Sequence, residues 1–226
     1  MASVLQHLRL RLCDYNNQRS LGSRFRLYRA SILRSLIDKT HAENGKVDLL
    51  DVGGTQTYWG IFPRSYLEEK NVHITLLNME TPPVLDDPLF SSLTGDACDI
   101  SAAGYDIAHS NSVIEHVGDW QRMKLFARQI RTARRYVVQT PSFWCPVEPH
   151  LMMPFIHWLP LPVRISVCMT LGLGDGEKAR DVDEAVQRVE VAQLLDKKMM
   201  CALFPDGRCH TERFLLLTKS YLMVRE

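Results

Sequence analysis

Short apolar runs alternate with helix-patterned stretches along most of this chain, and that alternation constrains the fold more than any other feature of it. Residues 20–38 carry Leu27, Ile32, Leu33 and Leu36 on one side of a helix, and the run 47–52 that follows is a buried strand ending in Gly53-Gly54. A second strand is predicted over 72–77, a weaker third one leading into Gly95-Asp96, a fourth over 105–110 and a fifth over 135–139. A basic amphipathic helix over 120–134 separates the last two, whereas Thr81-Pro82-Pro83 and Asp86-Asp87-Pro88 are loop chemistry and leave little room for a helix after the second strand. Strands spaced in this way by helices form a parallel sheet covered on both faces.

Beyond Pro141 the pattern changes. Residues 142–180 or so, rich at first in Pro, Trp, Phe and Met, read as an insertion or lid, and its prolines predict a stiff, bent cover in place of a regular helix. Helix returns over 183–203, Pro205-Asp206-Gly207 is a turn, and 208–214 and 215–225 are two closing strands. The expected architecture is α/β: one doubly wound, Rossmann-like domain spanning 1–226, mostly parallel with an antiparallel closing strand, and preceded by a helical segment over about 1–45.

Composition narrows the function. Lys and Arg number 27 against 26 Asp and Glu, so no global field holds a polyanion, and nucleic acid is not expected as a partner. Arg24, Arg26, Arg29 and Arg34 recur at near-helical spacing and read as a solvated face. The six cysteines include no C-x-x-C pair and no histidine at ligand spacing, so no metal is expected and a reducing, cytoplasmic setting is. The apolar stretch 151–173 contains Pro154, Pro160, Pro162 and Arg164; a transmembrane helix is not expected there, although an amphipathic cover of this kind allows peripheral contact with a membrane.

A strand that ends in glycine and opens into a helix points backbone N–H groups at whatever lies above the sheet edge. Leu49-Leu50-Asp51-Val52-Gly53-Gly54 has that form, but Thr55 and Tyr58 stand where a dinucleotide fingerprint needs its later glycines, and no nucleoside triphosphate loop is present. What adds weight is order. Asn78 and Glu80 follow the second strand, Asp96-Ala97 the third, and Asn111-Ser112-Val113-Ile114-Glu115-His116-Val117 the fourth, each at the carboxyl edge where open α/β sheets bind ligands.

In these pieces, over roughly 47–139, the chain resembles the class I S-adenosylmethionine-dependent methyltransferases, in particular the small-molecule, type 11-like branch with Glu-His-Val after the fourth strand. The resemblance implies S-adenosylmethionine as cofactor, with Asp51, Gly53 and Gly54 near its methionine portion, Asn78 or, in competition with it, Glu80 on the ribose, Asp96 and Ala97 beside the adenine, and Asn111 and Ser112 at the methionine end. Thr55 and Thr57 occupy positions that are usually glycine in that family, and the ribose residue there is usually acidic.

The implied activity is methyl transfer to an oxygen or nitrogen of a small molecule or glycan. The alternative is a binding or regulatory module that keeps the fold without turnover, motivated by the thin glycine loop and by Asn78. An imidazole titrates near neutrality, which makes His150 the candidate base, with Glu148 orienting it or contacting the substrate; Glu115-His116 is read as support for its own motif. Phe143, Trp144, Phe155 and Trp158 either line an acceptor pocket or seat the insertion on the sheet.

Overall fold

The computed structural model describes residues 21–80, 87–173 and 177–226. The helical start expected before residue 21 and the loop chemistry at 81–86 lie outside the described residues. Helix α1 (Leu21–Asn44) leads to β1 (Val47–Val52), two short helices α2 (Gln56–Trp59) and α3 (Arg64–Glu69), β2 (Val72–Asn78), β3 (Phe90–Thr94) and β4 (Ile107–Asn111). A 3-10 turn (Ile114–His116), α4 (Trp120–Ile130) and β5 (Arg135–Pro141) follow. The insertion holds a two-stranded ribbon, β6 (Val147–Glu148) and β7 (Met153–Pro154), a second 3-10 turn (Ile156–Trp158) and α5 (Leu161–Thr170); α6 (Val182–Glu190), α7 (Lys197–Leu203), β8 (Arg208–Phe214) and β9 (Leu217–Arg225) complete the chain.

Seven strands form one sheet in the order β3-β2-β1-β4-β5-β9-β8. The first five pair in parallel, and β9 runs against both of its neighbours. The order reverses at β1, which places a switch point, and with it a natural ligand crevice, at the carboxyl ends of β1 and β4. Neighbouring residues on each strand point to opposite faces. Leu50, Val52, Ala108 and Val138 therefore pack toward α4 and α7, while Val47, Leu49, Ile107 and Val137 pack toward α1 and the α2–α3 segment. In α4, Met123, Phe126, Ala127 and Ile130 form the buried stripe, and the Asp119 carboxylate caps the helix by accepting from the Arg122 N–H at 2.9 Å.

Three elements differ from expectation, each for a local reason. Helix α1 continues six residues past 38 because its buried side continues through Thr40; it stops where Gly45, at φ +71°, turns its N–H back to the His41 carbonyl. The helix expected over 183–203 is two helices, because residues 191–195 give their backbone hydrogen bonds to other parts of the molecule and Asp196 restarts the helix as a cap. The prolines of the insertion do not prevent a regular helix but begin one. Pro160 is the N-cap of α5 and Pro162 lies in its first turn, where a missing N–H costs nothing.

The arginines of α1 also depart from a purely solvated face. Arg34 lies 4.1 Å over the Tyr66 ring, and Arg26 donates to the Tyr58 carbonyl at 3.1 Å. Arg29 donates to Asn111 Oδ1 at 2.7 Å and to Glu212 Oε1 at 2.9 Å; the Glu212 side chain is fully buried. Removing one partner of such a pair leaves a charge in the interior. Arg29→Met is therefore expected to lower the unfolding free energy by about 3 kcal/mol in urea titration, and a loss below about 0.5 kcal/mol would show that Glu212 is compensated by other groups.

Candidate functional site

A cavity of about 560 Å³ opens at the carboxyl edge of the parallel strands, within the size range of small-molecule sites. Gly53, Gly54 and Thr55 after β1 form one wall, Asn78 and Glu80 after β2 the next, Asp96 and Ala97 after β3 another, and Val113, His116, Val117 and Arg122 close the side beyond β4. Six residues named from sequence as cofactor contacts, Gly53, Gly54, Asn78, Glu80, Asp96 and Ala97, thus come together on one cavity.

The glycine loop is tight for identifiable reasons. Gly53 has φ +70°, and a Cβ there would meet Val113 Cγ2 at 2.4 Å; a Cβ on Gly54 would lie 1.8 Å from Asp51 Oδ2. The Gly53 N–H donates to the Leu77 carbonyl at 2.8 Å, and the Asn78 side-chain amide donates to the Gly54 carbonyl at 3.0 Å. The end of β2 therefore clamps the loop after β1. Glu80, exposed at the rim, is left as the carboxylate on that wall. Across the cavity, the Asp96 carboxyl is held below its usual range, first by the Cys98 N–H and then by the Arg122 guanidinium at 2.5 Å, both of which favour the charged form.

Asp51, Asn111 and Ser112 take different places. The Asp51 side chain is 1% exposed and lies beneath the loop, where Oδ2 accepts from Trp59 Nε1 at 2.8 Å and Oδ1 from His109 Nδ1 at 2.7 Å. His109 Nε2 faces the Tyr58 hydroxyl at 3.4 Å, and the two rings stack with centroids 5.1 Å apart. Asp51 is thus a positioning residue that ties α2 to β4 under the glycine turn. Asn111 gives its side-chain oxygen to Arg29, and Ser112, at φ +59°, donates through Oγ to Gln139 Oε1 at 2.8 Å. His109 went unremarked in the sequence; its signal is register, because parallel pairing of β1 with β4 sets it beside Asp51.

Beyond the cavity, the insertion brings a second group to the turn after β4. His150 Nδ1 donates to Glu148 Oε1 at 2.6 Å, and the other Glu148 oxygen accepts from the Leu151 N–H, so the orienting pair expected from sequence is formed. His150 Nε2 stands 3.1 Å from His116 Nε2, and His116 Nδ1 donates to the Val191 carbonyl at 2.6 Å. Glu115, between them and the sheet, accepts from the Thr140 hydroxyl at 3.0 Å; burial pushes its carboxyl up to about 7. The Glu148 hydrogen bond raises His150 above the ordinary imidazole value, while burial lowers His116.

The aromatic group ties the insertion to its own first residues. His157 Nε2 and Trp158 Nε1 both donate to the Phe143 carbonyl, at 2.8 and 2.9 Å, and Trp158 packs on Trp144 and Phe155. Trp144, Phe155 and Trp158 remain exposed on its outside. Only Phe143 and His157 of this set line the separate cavity of about 250 Å³ that the insertion forms with the end of α6. No helix is long and apolar enough to cross a membrane among the described residues.

No family model matches the chain, and no curated protein matches it. Among solved structures it is similar to the mitomycin 7-O-methyltransferase MmcR, at 17% identity over 92% of this chain and 56% of that one, with a TM-score of 0.45. It is also similar to LepI in complex with SAM, at 9% identity over 80% of this chain and 43% of that one, TM-score 0.47. A third is the 1,6-didemethyltoxoflavin-N1-methyltransferase of Burkholderia thailandensis with bound 1,6-didemethyltoxoflavin and S-adenosylhomocysteine, at 12% identity over 99% of this chain and 86% of that one, TM-score 0.48. This chain spans about half the length of the first two.

Proposed function

We propose that the protein is an S-adenosylmethionine-dependent methyltransferase acting on an oxygen or nitrogen of a small molecule or glycan. The observation that carries this reading is the cavity at the β1–β4 switch point, walled in order by the glycine loop, Asn78 and Glu80, Asp96 and Ala97, and the turn after β4. The cradle suits the group: side chains are absent at Gly53 and Gly54, where a methionine portion needs close backbone approach, and carboxylates stand on the walls assigned to ribose and adenine. When bound, the cofactor would supply a methyl group on a sulfonium for transfer to the acceptor, with S-adenosylhomocysteine as the leaving group.

The chain's own task is then to align the acceptor and exclude water. His116 stands on both the cofactor cavity and the His150 group, so the acceptor's place is beside these imidazoles. With Nδ1 donating to Glu148, His150 keeps its lone pair on Nε2 and can take the acceptor's proton there.

Calorimetry with S-adenosylmethionine and S-adenosylhomocysteine tests the reading directly. Both are expected to bind, and Glu80→Gln is expected to weaken binding about tenfold through loss of charge-assisted hydrogen bonds to the ribose. The absence of heat for either ligand at millimolar concentration would refute the cofactor. Unchanged affinity in Glu80→Gln would return the ribose to Asn78.

A further inference from the structure

We propose that Glu115, His116 and His150 form a binding site for one divalent transition-metal ion of the zinc type, beside the cofactor cavity, which His116 also lines. A carboxylate oxygen of Glu115 and one ring nitrogen of each histidine lie within 4.8 Å of one another. Both Nδ1 atoms are committed as donors, one to the Val191 carbonyl and one to the Glu148 carboxylate. Each neutral ring therefore carries its lone pair on Nε2, and the two Nε2 atoms face each other at 3.1 Å. Two lone pairs at that distance repel unless something positive lies between them.

A shared proton also fits this gap, because the two Nε2 atoms meet hydrogen-bond geometry; the case for an ion rests on the third group, Glu115. The ring centres are 4.7 Å apart, with planes at 90°. Two ligands about 2.0–2.1 Å from a tetrahedral zinc lie roughly 3.4 Å apart, close to the separation seen.

The second observation is independent of the histidines. Glu115 is 1% exposed, and while Oε2 accepts from Thr140, Oε1 is buried without any hydrogen-bond partner among the described residues. A buried carboxylate oxygen is rarely left so. Three protein ligands of the His-His-Glu type leave one position open, and the outer partners are of the kind that fix ligand tautomers: a carboxylate on one imidazole and a carbonyl on the other. No spacing rule finds this set, because His150 follows His116 by 34 positions and reaches it through the insertion. The expectation that the chain lacks a metal rested on such spacing.

Ion binding does not depend on the methyl-transfer reading. One consequence does: an acceptor hydroxyl on the open position would release its proton to solvent more readily, and its oxygen would then receive the methyl group, with His150 serving as ligand in place of base.

Titration of the metal-free full chain with zinc, and with cobalt(II) as a spectroscopic probe, decides the matter. Expected are one equivalent bound and the visible absorption of four-coordinate cobalt without thiolate charge-transfer bands. His116→Gln and His150→Gln should each weaken binding about 100-fold or more, and Glu115→Gln about tenfold. Binding that survives in the His116→Gln/His150→Gln double variant, or cobalt spectra dominated by thiolate, would assign the ion to the cysteines and overturn the site. Should the variants fail to fold, the wild-type cobalt adduct suffices. Two paramagnetically shifted exchangeable imidazole N–H resonances are expected from the two Nδ1 protons, and their absence would overturn the proposal. Zinc binding without any affinity for S-adenosylmethionine would uphold this site while removing the functional reading above.

Discussion

Asp51→Ala is expected to lower the unfolding free energy by about 3–5 kcal/mol, the largest stability loss of any substitution considered for this chain. The carboxylate is buried and both of its oxygens are in use. Its removal strands the Trp59 indole N–H, itself 2% exposed, and the His109 Nδ1–H, and it opens a void under the glycine turn. Asn is a poor substitute. Its amide oxygen can accept from only one of the two groups: N–H facing Trp59 meets a fixed donor, and N–H facing His109 forces that ring into the other tautomer. Urea unfolding followed by tryptophan fluorescence checks this, because Trp59 reports on the site itself. If Asp51→Asn leaves stability within about 1 kcal/mol of the parent while abolishing cofactor binding, the side chain contacts the cofactor after all, as the motif resemblance implies.

Gly54→Ala should act in the opposite proportion, with a modest loss of stability and a loss of affinity for S-adenosylhomocysteine of about 100-fold or more. The added methyl would lie 1.8 Å from Asp51 Oδ2, and that oxygen cannot retreat because Trp59 holds it. The loop must rise instead, into the space the cofactor would occupy, and the Asn78 clamp on the Gly54 carbonyl must break as it does so. Calorimetric affinity and urea stability measured on the same preparation separate the two effects. Equal affinity in the variant would mean that the loop is not the cofactor's wall.

The sheet was legible in the sequence because its central strands are buried on both faces and so appear as short runs dominated by apolar residues, Val47, Leu49, Leu50 and Val52 in β1 and Tyr136, Val137 and Val138 in β5. The glycine loop and the residues at strand ends were legible for a related reason: in a parallel sheet, chain order alone carries them to one edge. Side-chain direction was not. Asp51 and Asn78 occupy the expected positions, but Asp51 turns inward to a partner on β4, and the Asn78 amide turns back to its own neighbour loop. These choices depend on who stands across the strand, and hydrophobic period does not record that. The Glu148–His150 pair could be named because its members are two residues apart, whereas its approach to His116 depends on how the insertion folds back.

The stretch 191–195 between α6 and α7 gives that folding a mechanical side. The Val191 carbonyl holds the His116 ring, the Gln193 N–H donates to the Glu115 carbonyl, and the Leu195 carbonyl receives the Phe143 N–H where Leu195 bridges Ser142. These few residues act as a tie rod between the turn after β4 and the root of the insertion. The insertion therefore cannot swing as a free flap. Any load that shifts its root also reaches the histidine beside the cavity, so whatever presses on the outer aromatic surface of the insertion also adjusts the geometry of the site.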